Sequence, residues 1–270
     1  MTRMALLPLL LAGALVSVGP TPAAADQVAQ ARRLYNQALY ELAIKEATRA
    51  REQGMAPDDA LLVIARAHLE RFRQTRDAIN LTAARDALRA VDAACLTPVA
   101  QTEFTLALGQ WLFLDDRFIA AAELFDGVVD RVDALGPSAR DRVLDWWATS
   151  VDRQAQTDAD HRRELYQRII ERMEAELRVN PGSTSAGYWL AAAARSAGDT
   201  DRAWHAAVAG YLRARLAADR GKTLRGDLDQ LVLTAIIPER ARHQAGRGGD
   251  AQPAVDAMTT EWEQIKALWE

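Results

Sequence analysis

The stretch 187–210 constrains this chain more than any other. Apolar and small residues run from Tyr188 to Ala197, Gly198-Asp199-Thr200 interrupt them, and a second run begins at Arg202. This is the pattern of two helices joined by a tight turn. Gly198 can take the left-handed conformation that ends a helix, and Asp199 or Thr200 can cap the amide groups that open the next. Ala191, Ala194, Gly198, Ala203 and Ala207 let two backbones approach, while Tyr188, Trp189, Leu190 and Trp204 supply bulk. A hairpin with so much apolar surface must bury its other sides against neighbouring hairpins.

The rest of the chain supplies such neighbours. Residues 27–51 read as two helices with a break at 38–40, and Gly54 and Pro57 close the second. Asp58 or Asp59 is placed to cap a third helix, whose apolar stripe is Leu61, Leu62, Ile64, Ala65 and Leu69. The polar interval 71–80 fits an extended loop or a helix overrun, a natural place for a surface insertion, and a partner helix starts at Leu81 and ends before Pro98. Phe104, Leu108, Gly109, Trp111 and Leu112 face a return helix carrying Phe118, Ala121, Ala122, Phe125, Val128 and Val129, across a turn at Asp115-Asp116. Gly136-Pro137-Ser138 is a stop followed by a cap. A Trp146-Trp147 pair comes next, and then a long helix with Leu165, Ile169, Met173 and Leu177 in one row. Beyond Gly210 the helix is predicted to continue to Asp219 and break at Gly221; 222–237 forms another, with Pro238 starting a last turn or kinking its end.

Near the carboxyl terminus, 246–253 reads as a flexible linker. Val255, Met258, Trp262, Ile265 and Trp269 then recur at steps of three and four, so 254–270 is an amphipathic capping helix that must dock. No stretch reads as a strand. About ten to twelve helices joined by short turns predict an all-α solenoid of antiparallel hairpins over 26–245, with a compact irregular bundle as the alternative.

These residues resemble tetratricopeptide repeats, 34-residue helical hairpins with small residues at positions 8, 20 and 27 and a turn at 15. Leu108, Gly109, Leu112, Asp116, Phe118, Ala121 and Phe125 fall on positions 7, 8, 11, 15, 17, 20 and 24. Leu190, Ala191, Ala194, Gly198, Ala203 and Gly210 fall on 7, 8, 11, 15, 20 and 27, and Ala31, Leu34, Tyr40, Ala43 and Ala50 on 8, 11, 17, 20 and 27. The first unit departs at Gln30 and Ala38, and Ile169 is bulky for position 20. The resemblance covers roughly 27–218 as degenerate repeats. It implies a right-handed superhelix whose concave groove binds proteins or peptides, usually without catalysis.

Residues 1–25 have a basic start at Arg3, a short apolar run, a Gly19-Pro20 break and an Ala23-x-Ala25 end, the pattern of a signal peptide cleaved before Asp26. A membrane anchor is the alternative, against which the short run argues. The expected product is exported, periplasmic or secreted. Its single cysteine forbids an internal disulfide, so packing alone must hold it, and Cys95 is expected as a small buried hydrophobe near a helix end. A net charge of −4 argues against duplex nucleic acid as a partner.

Large rings are concentrated in a few places, and those which could meet a partner are Trp146, Trp147, Tyr188, Trp189, Trp204, Trp262 and Trp269. Trp146 and Trp147 point about 100° apart on a helix, so one is expected in the core. Glu261, Glu263 and Glu270 beside a single Lys266 argue against an anionic bilayer, so no stable membrane insertion is expected after signal cleavage. His68, His161, His205 and His243 have no metal-helix spacing, Gly221-Lys222-Thr223 lacks the upstream glycines of a phosphate loop, and 157–164 has no calcium-loop spacing. No catalytic residue, metal site or cofactor is therefore assigned. The expectation is a non-catalytic extracytoplasmic scaffold or adaptor holding a protein or peptide in a helical-repeat groove. A small-ligand component of an envelope system and an enzyme with an unrecognised site are the alternatives.

Overall fold

A computed structural model describes residues 22–136, 138–217, 219 and 221–269. Residues 1–21 of the expected signal peptide, Pro137 of the expected stop and Glu270 of the capping helix lie outside the described residues. The described chain is all-helical: α1 (Pro22–Asn36), α2 (Tyr40–Glu52), α3 (Pro57–Thr75), α4 (Ala78–Ala90), α5 (Pro98–Leu114), α6 (Phe118–Asp126), α7 (Ala139–Thr157), α8 (Arg162–Val179), α9 (Thr184–Ser196), α10 (Thr200–Arg213), α11 (Lys222–Leu231), α12 (Ile237–Ala245) and α13 (Gln252–Trp269). Short 3-10 turns lie at Ala93–Cys95, Val129–Leu135 and Ala214–Leu216. Helices pack against their neighbours in chain order, and α1 with α3, α3 with α5, α7 with α9 and α9 with α11 also touch.

Three hairpin turns share one backbone solution. Ala38, Asp116 and Gly198 all have positive φ, at 59°, 59° and 87°. In each, the next N–H reaches back over the helix end: Leu39 to the Leu34 carbonyl at 3.0 Å, Arg117 to Leu112 at 2.9 Å and Asp199 to Ala194 at 3.0 Å. This left-handed cap satisfies carbonyls that the helix end leaves open. Asp199 then caps α10 by accepting the Arg202 N–H at 2.9 Å. Ala38 bears a Cβ where glycine fits without strain, so Ala38→Gly is expected to stabilise the protein by about 0.5–1 kcal/mol in urea denaturation.

Small residues do the packing work anticipated for them. A Cβ on Gly109 would lie 2.6 Å from the Phe125 ring, which is 1% exposed, so α5 and α6 approach this closely only with glycine there. Ala191, Ala194, Ala203 and Ala207 are fully buried between α9 and α10. Two apolar cores result. One joins α1–α5 around Leu62 and Leu69, and the other joins α6–α13 around Phe125, Trp147, Ile169, Met173, Trp204, Leu228 and Trp262. Helix α5 is the seam, giving Ala100 and Ala107 to the first and resting Leu106, Leu112 and Phe113 on the second.

Several local expectations need correction. Of the two readings of 71–80 the helix overrun holds and the loop does not: α3 runs to Thr75, Arg76 ends it at φ 59°, and Asp77 caps α4 by accepting the Ile79 N–H. Neither Asp58 nor Asp59 caps α3; Asp58 accepts the Asp92 N–H at 2.7 Å and Asp59 pairs with Arg32. Cys95 is exposed, because its 3-10 turn lies on the surface; the carboxylate of Asp92 beside it pushes the thiol up, away from the reactive thiolate. Helix α10 stops at Arg213 and does not run on to Asp219. Pro238 falls in the first turn of the short helix α12, in line with the first of its two readings, and that helix follows α11 without a loop. A π-helical turn, Val232–Ile236, carries α11 into α12 and absorbs the missing proline N–H in the first turn of α12.

Helix α13 docks on the second core through Trp262, which is fully buried. Its ring centroid lies 5.9 Å from that of Trp204 and 5.3 Å from that of Tyr211, and its Nε1 donates to Asp229 Oδ1 at 2.7 Å. Lys266 binds the same carboxylate at 2.8 Å. Among the described residues no helix is long and apolar enough to cross a membrane.

Candidate functional site

Helix α7 carries two adjacent rows of side chains that line cavities against α3, α5, α9 and α11. Ser138, at its N-cap, leads one row with Arg142 and Trp146, and Asp141, Asp145 and Thr149 make the other, each spaced four apart as a helix face requires. Three cavities line up along these rows. The first, about 620 Å³, lies between α7 and the residues Arg32, Tyr35, Arg66, Arg73 and Glu103. The second, about 600 Å³, shares Glu70, Arg73 and Trp146 with the first and adds Phe113 and Thr149. The third, about 930 Å³, shares Asp145 with the second and runs on past Tyr188 and Arg195 to Asp227, Gln230 and Thr234. Through these shared residues the three cavities lie next to one another, a groove lined mainly by α1, α3, α5, α7, α9 and α11.

At the first end, guanidinium groups outnumber carboxylates. Glu103 accepts from Arg32 at 2.7 Å and pairs with Arg66 at 2.9 Å, and Arg32 also holds Asp59 at 2.8 Å. The Arg66 guanidinium lies 4.6 Å from the Tyr35 ring centroid; Tyr35 is largely enclosed, and burial pushes its phenol up. Arg73 bonds Glu70 on its own helix at 3.0 Å and covers the Trp146 ring at 5.2 Å, bridging the two cores. Trp146 is half-buried and stands edge-on to Phe113 at 4.9 Å. Arg142 has no carboxylate partner among the described residues, its Nη1 donating instead to Ser138 Oγ at 2.8 Å.

The third cavity has the opposite character. Asp141 is consumed by structure, accepting the Ser183 hydroxyl at 2.5 Å and the Thr184 N–H at 3.1 Å where α9 begins. Asp219 similarly accepts the Gly221 and Thr223 N–H groups at 2.8 and 3.0 Å, which hold its carboxyl below the usual range. Arg195 is tied to Glu239 by two bonds, at 2.9 and 2.6 Å. Asp145 holds only the Trp189 indole N–H, at 2.9 Å, and Asp227 has no hydrogen bond or ion pair among the described residues. Partial removal from water, then repulsion from Asp145, push the Asp227 carboxyl up.

The seven rings singled out in the sequence separate into three groups. Trp146 and Tyr188 line the groove, both half-buried, and Trp189 sits at its margin with its indole on Asp145. Trp147, Trp204 and Trp262 are at most 3% exposed, so they are corrected from partner contacts to core: each is shut in by the neighbouring helices and has no face to offer. Trp269 is 46% exposed at the end of α13, away from the groove lining, where its carbonyl accepts from Arg225 at 3.4 Å. The groove residues that sequence reasoning passed over are Arg66, Arg73, Arg142, Asp145 and Asp227. A signal existed, because Arg66, Glu70 and Arg73 on α3 and Glu103, Gln110 and Phe113 on α5 recur on one helix face as the α7 rows do. Among the described residues no three His, Cys, Asp or Glu side chains gather as a metal site. No family model, curated protein or solved structure matches the chain.

Proposed function

We propose that the helix pairs stack as a right-handed superhelical solenoid of tetratricopeptide-like hairpins, and that its groove holds a protein or peptide partner without catalysing a reaction. The protein acts in this reading as an exported scaffold or adaptor. The observation that carries it is the row of cavities. Three neighbouring cavities share lining residues across several helices, with half-buried rings at Trp146, Phe113 and Tyr188 and polar groups among their linings. A channel crossing several helices suits an extended segment better than a compact small molecule, which is taken up in an enclosed and mostly apolar pocket. Rings flanked by arginines are also what binding hot spots are made of.

A photoreactive amino acid at Thr149, in the groove, is expected to cross-link a partner in cells that make the protein. The same residue at Glu171, exposed on α8, should give no product. Trp146→Ala should abolish the Thr149 product while circular dichroism shows the helices intact. Equal cross-linking at both positions, or none at either, would overturn the groove as the working surface.

A further inference from the structure

The groove changes sign along its length. Its first cavity is lined by Arg32, Arg66, Arg73 and Arg142 against Glu70 and Glu103. The first three arginines are ion-paired with Asp59, Glu103 and Glu70, which leaves Arg142 as the cation with no carboxylate partner among the described residues. Its third cavity is lined by four aspartates against Arg142 and Arg195, and Arg195 already belongs to Glu239. Of those aspartates, Asp141 and Asp219 are used up in holding helix starts. Asp145 on α7 and Asp227 on α11 are not, and both line this cavity, near enough for Asp145 to disturb Asp227. Tyr188 lies in the same wall, and its phenol is pushed up by burial first and then by Asp227, Asp152 and Asp145. A cation placed near both carboxylates relieves repulsion of this kind.

Resting on the groove reading above, we infer that the occupant is an extended peptide segment of two signs, with a carboxylate over the arginine-lined end and a lysine or arginine between Asp145 and Asp227. Charge complementarity to both ends selects this occupant over a uniformly acidic or uniformly basic one, each of which would meet like charge along half the groove. Arg142 and Asp145 are three positions apart on α7, a separation of about 5–6 Å, and at about 3.3 Å per extended residue the two charges of the peptide fall roughly two positions apart. The Tyr188 ring beside the carboxylates suits the cationic side chain, since an aromatic face attracts a cation.

Random twelve-residue peptides displayed on phage, selected on the purified protein at low salt, test this. Enriched peptides are expected to carry an acidic and a basic residue at that separation. A synthetic enriched peptide should bind the Asp145→Asn/Asp227→Asn variant at least tenfold more weakly. Replacing its basic residue by glutamine should cost at least tenfold on the unaltered protein and little on the variant. Arg142→Gln should do the same for the acidic residue. Enriched peptides with no such pattern, displaced by Trp146→Ala but indifferent to the aspartate and arginine variants, would overturn the two-sign inference and leave the groove standing. No enrichment, or peptides that bind regardless of Trp146→Ala, would overturn both.

Discussion

Arg140→Met is expected to destabilise the protein by about 3–5 kcal/mol, because it strands a buried carboxylate. The Glu176 side chain is 1% exposed on α8, and Arg140 on α7 is its charged partner. Arg140 Nε donates to both carboxylate oxygens, at 2.9 and 3.0 Å, and Nη2 adds a third bond at 2.9 Å. Nη1 also reaches the Val129 carbonyl at 3.2 Å, so one guanidinium ties α7, α8 and the preceding 3-10 segment together. The cost of losing it comes less from the bonds themselves than from a carboxylate with neither water nor a counter-charge. Arg140→Met/Glu176→Met removes both charges and should return to within about 1 kcal/mol of the starting protein, since apolar replacements of whole buried pairs are often near neutral. Urea denaturation of the three proteins decides it. A single variant within about 1 kcal/mol of the original would show that Glu176 reaches solvent or another partner.

Trp262→Ala is expected to cost about 3–5 kcal/mol, the range for truncating a large buried ring. No part of the ring is exposed, and it fills the space between Trp204 and Tyr211. The loss should be local in its first consequence. Helix α13 rests chiefly on α12, so without its central ring it should undock and its amides should exchange with deuterium well before those of α9 and α10. Trp262→Phe separates two contributions. It keeps most of the apolar contact but loses the bond to Asp229, and should cost about 1–2 kcal/mol, since Lys266 still holds that carboxylate at 2.8 Å. Trp262→Ala with unchanged α13 exchange would mean that Met258 and the Lys266 contact anchor the helix without the ring.

Much of the fold was legible because helix periodicity and turn chemistry are local. Gly198 and Asp199 announced the turn and cap they form, the adjacent pair Trp146 and Trp147 divided between groove and core, and the spacing of Met258 and Trp262 marked the face by which α13 docks. Ala38 is instructive, because the break expected at 38–40 takes the same turn as Asp116 and Gly198 without a glycine. An alanine takes a left-handed φ when the packing of α1 on α2 outweighs the local cost. The polar run 71–80 left loop and helix overrun both open, because charged residues on a helix and in a loop look alike until something packs beside them. Arg73 is charged and helical, and its place over Trp146 is set by a helix more than seventy residues away.

What the sequence determined by itself was therefore the inventory of helices, the small residues that let them approach, and the apolar face of each. A 3.6-residue period places side chains on common faces whatever the helix later meets. Which polar face of α7 turns toward α3 and α11, and so which arginines and aspartates share a groove, was decided only by tertiary structure. Arg142 and Asp145 belong to one helix, but the opposite signs around them come from residues brought in by chain far away on either side. Burial made the same distinction among the tryptophans. Trp204 and Trp146 have the same chemistry, and only the packing of α13 over one and the open groove before the other give them different work.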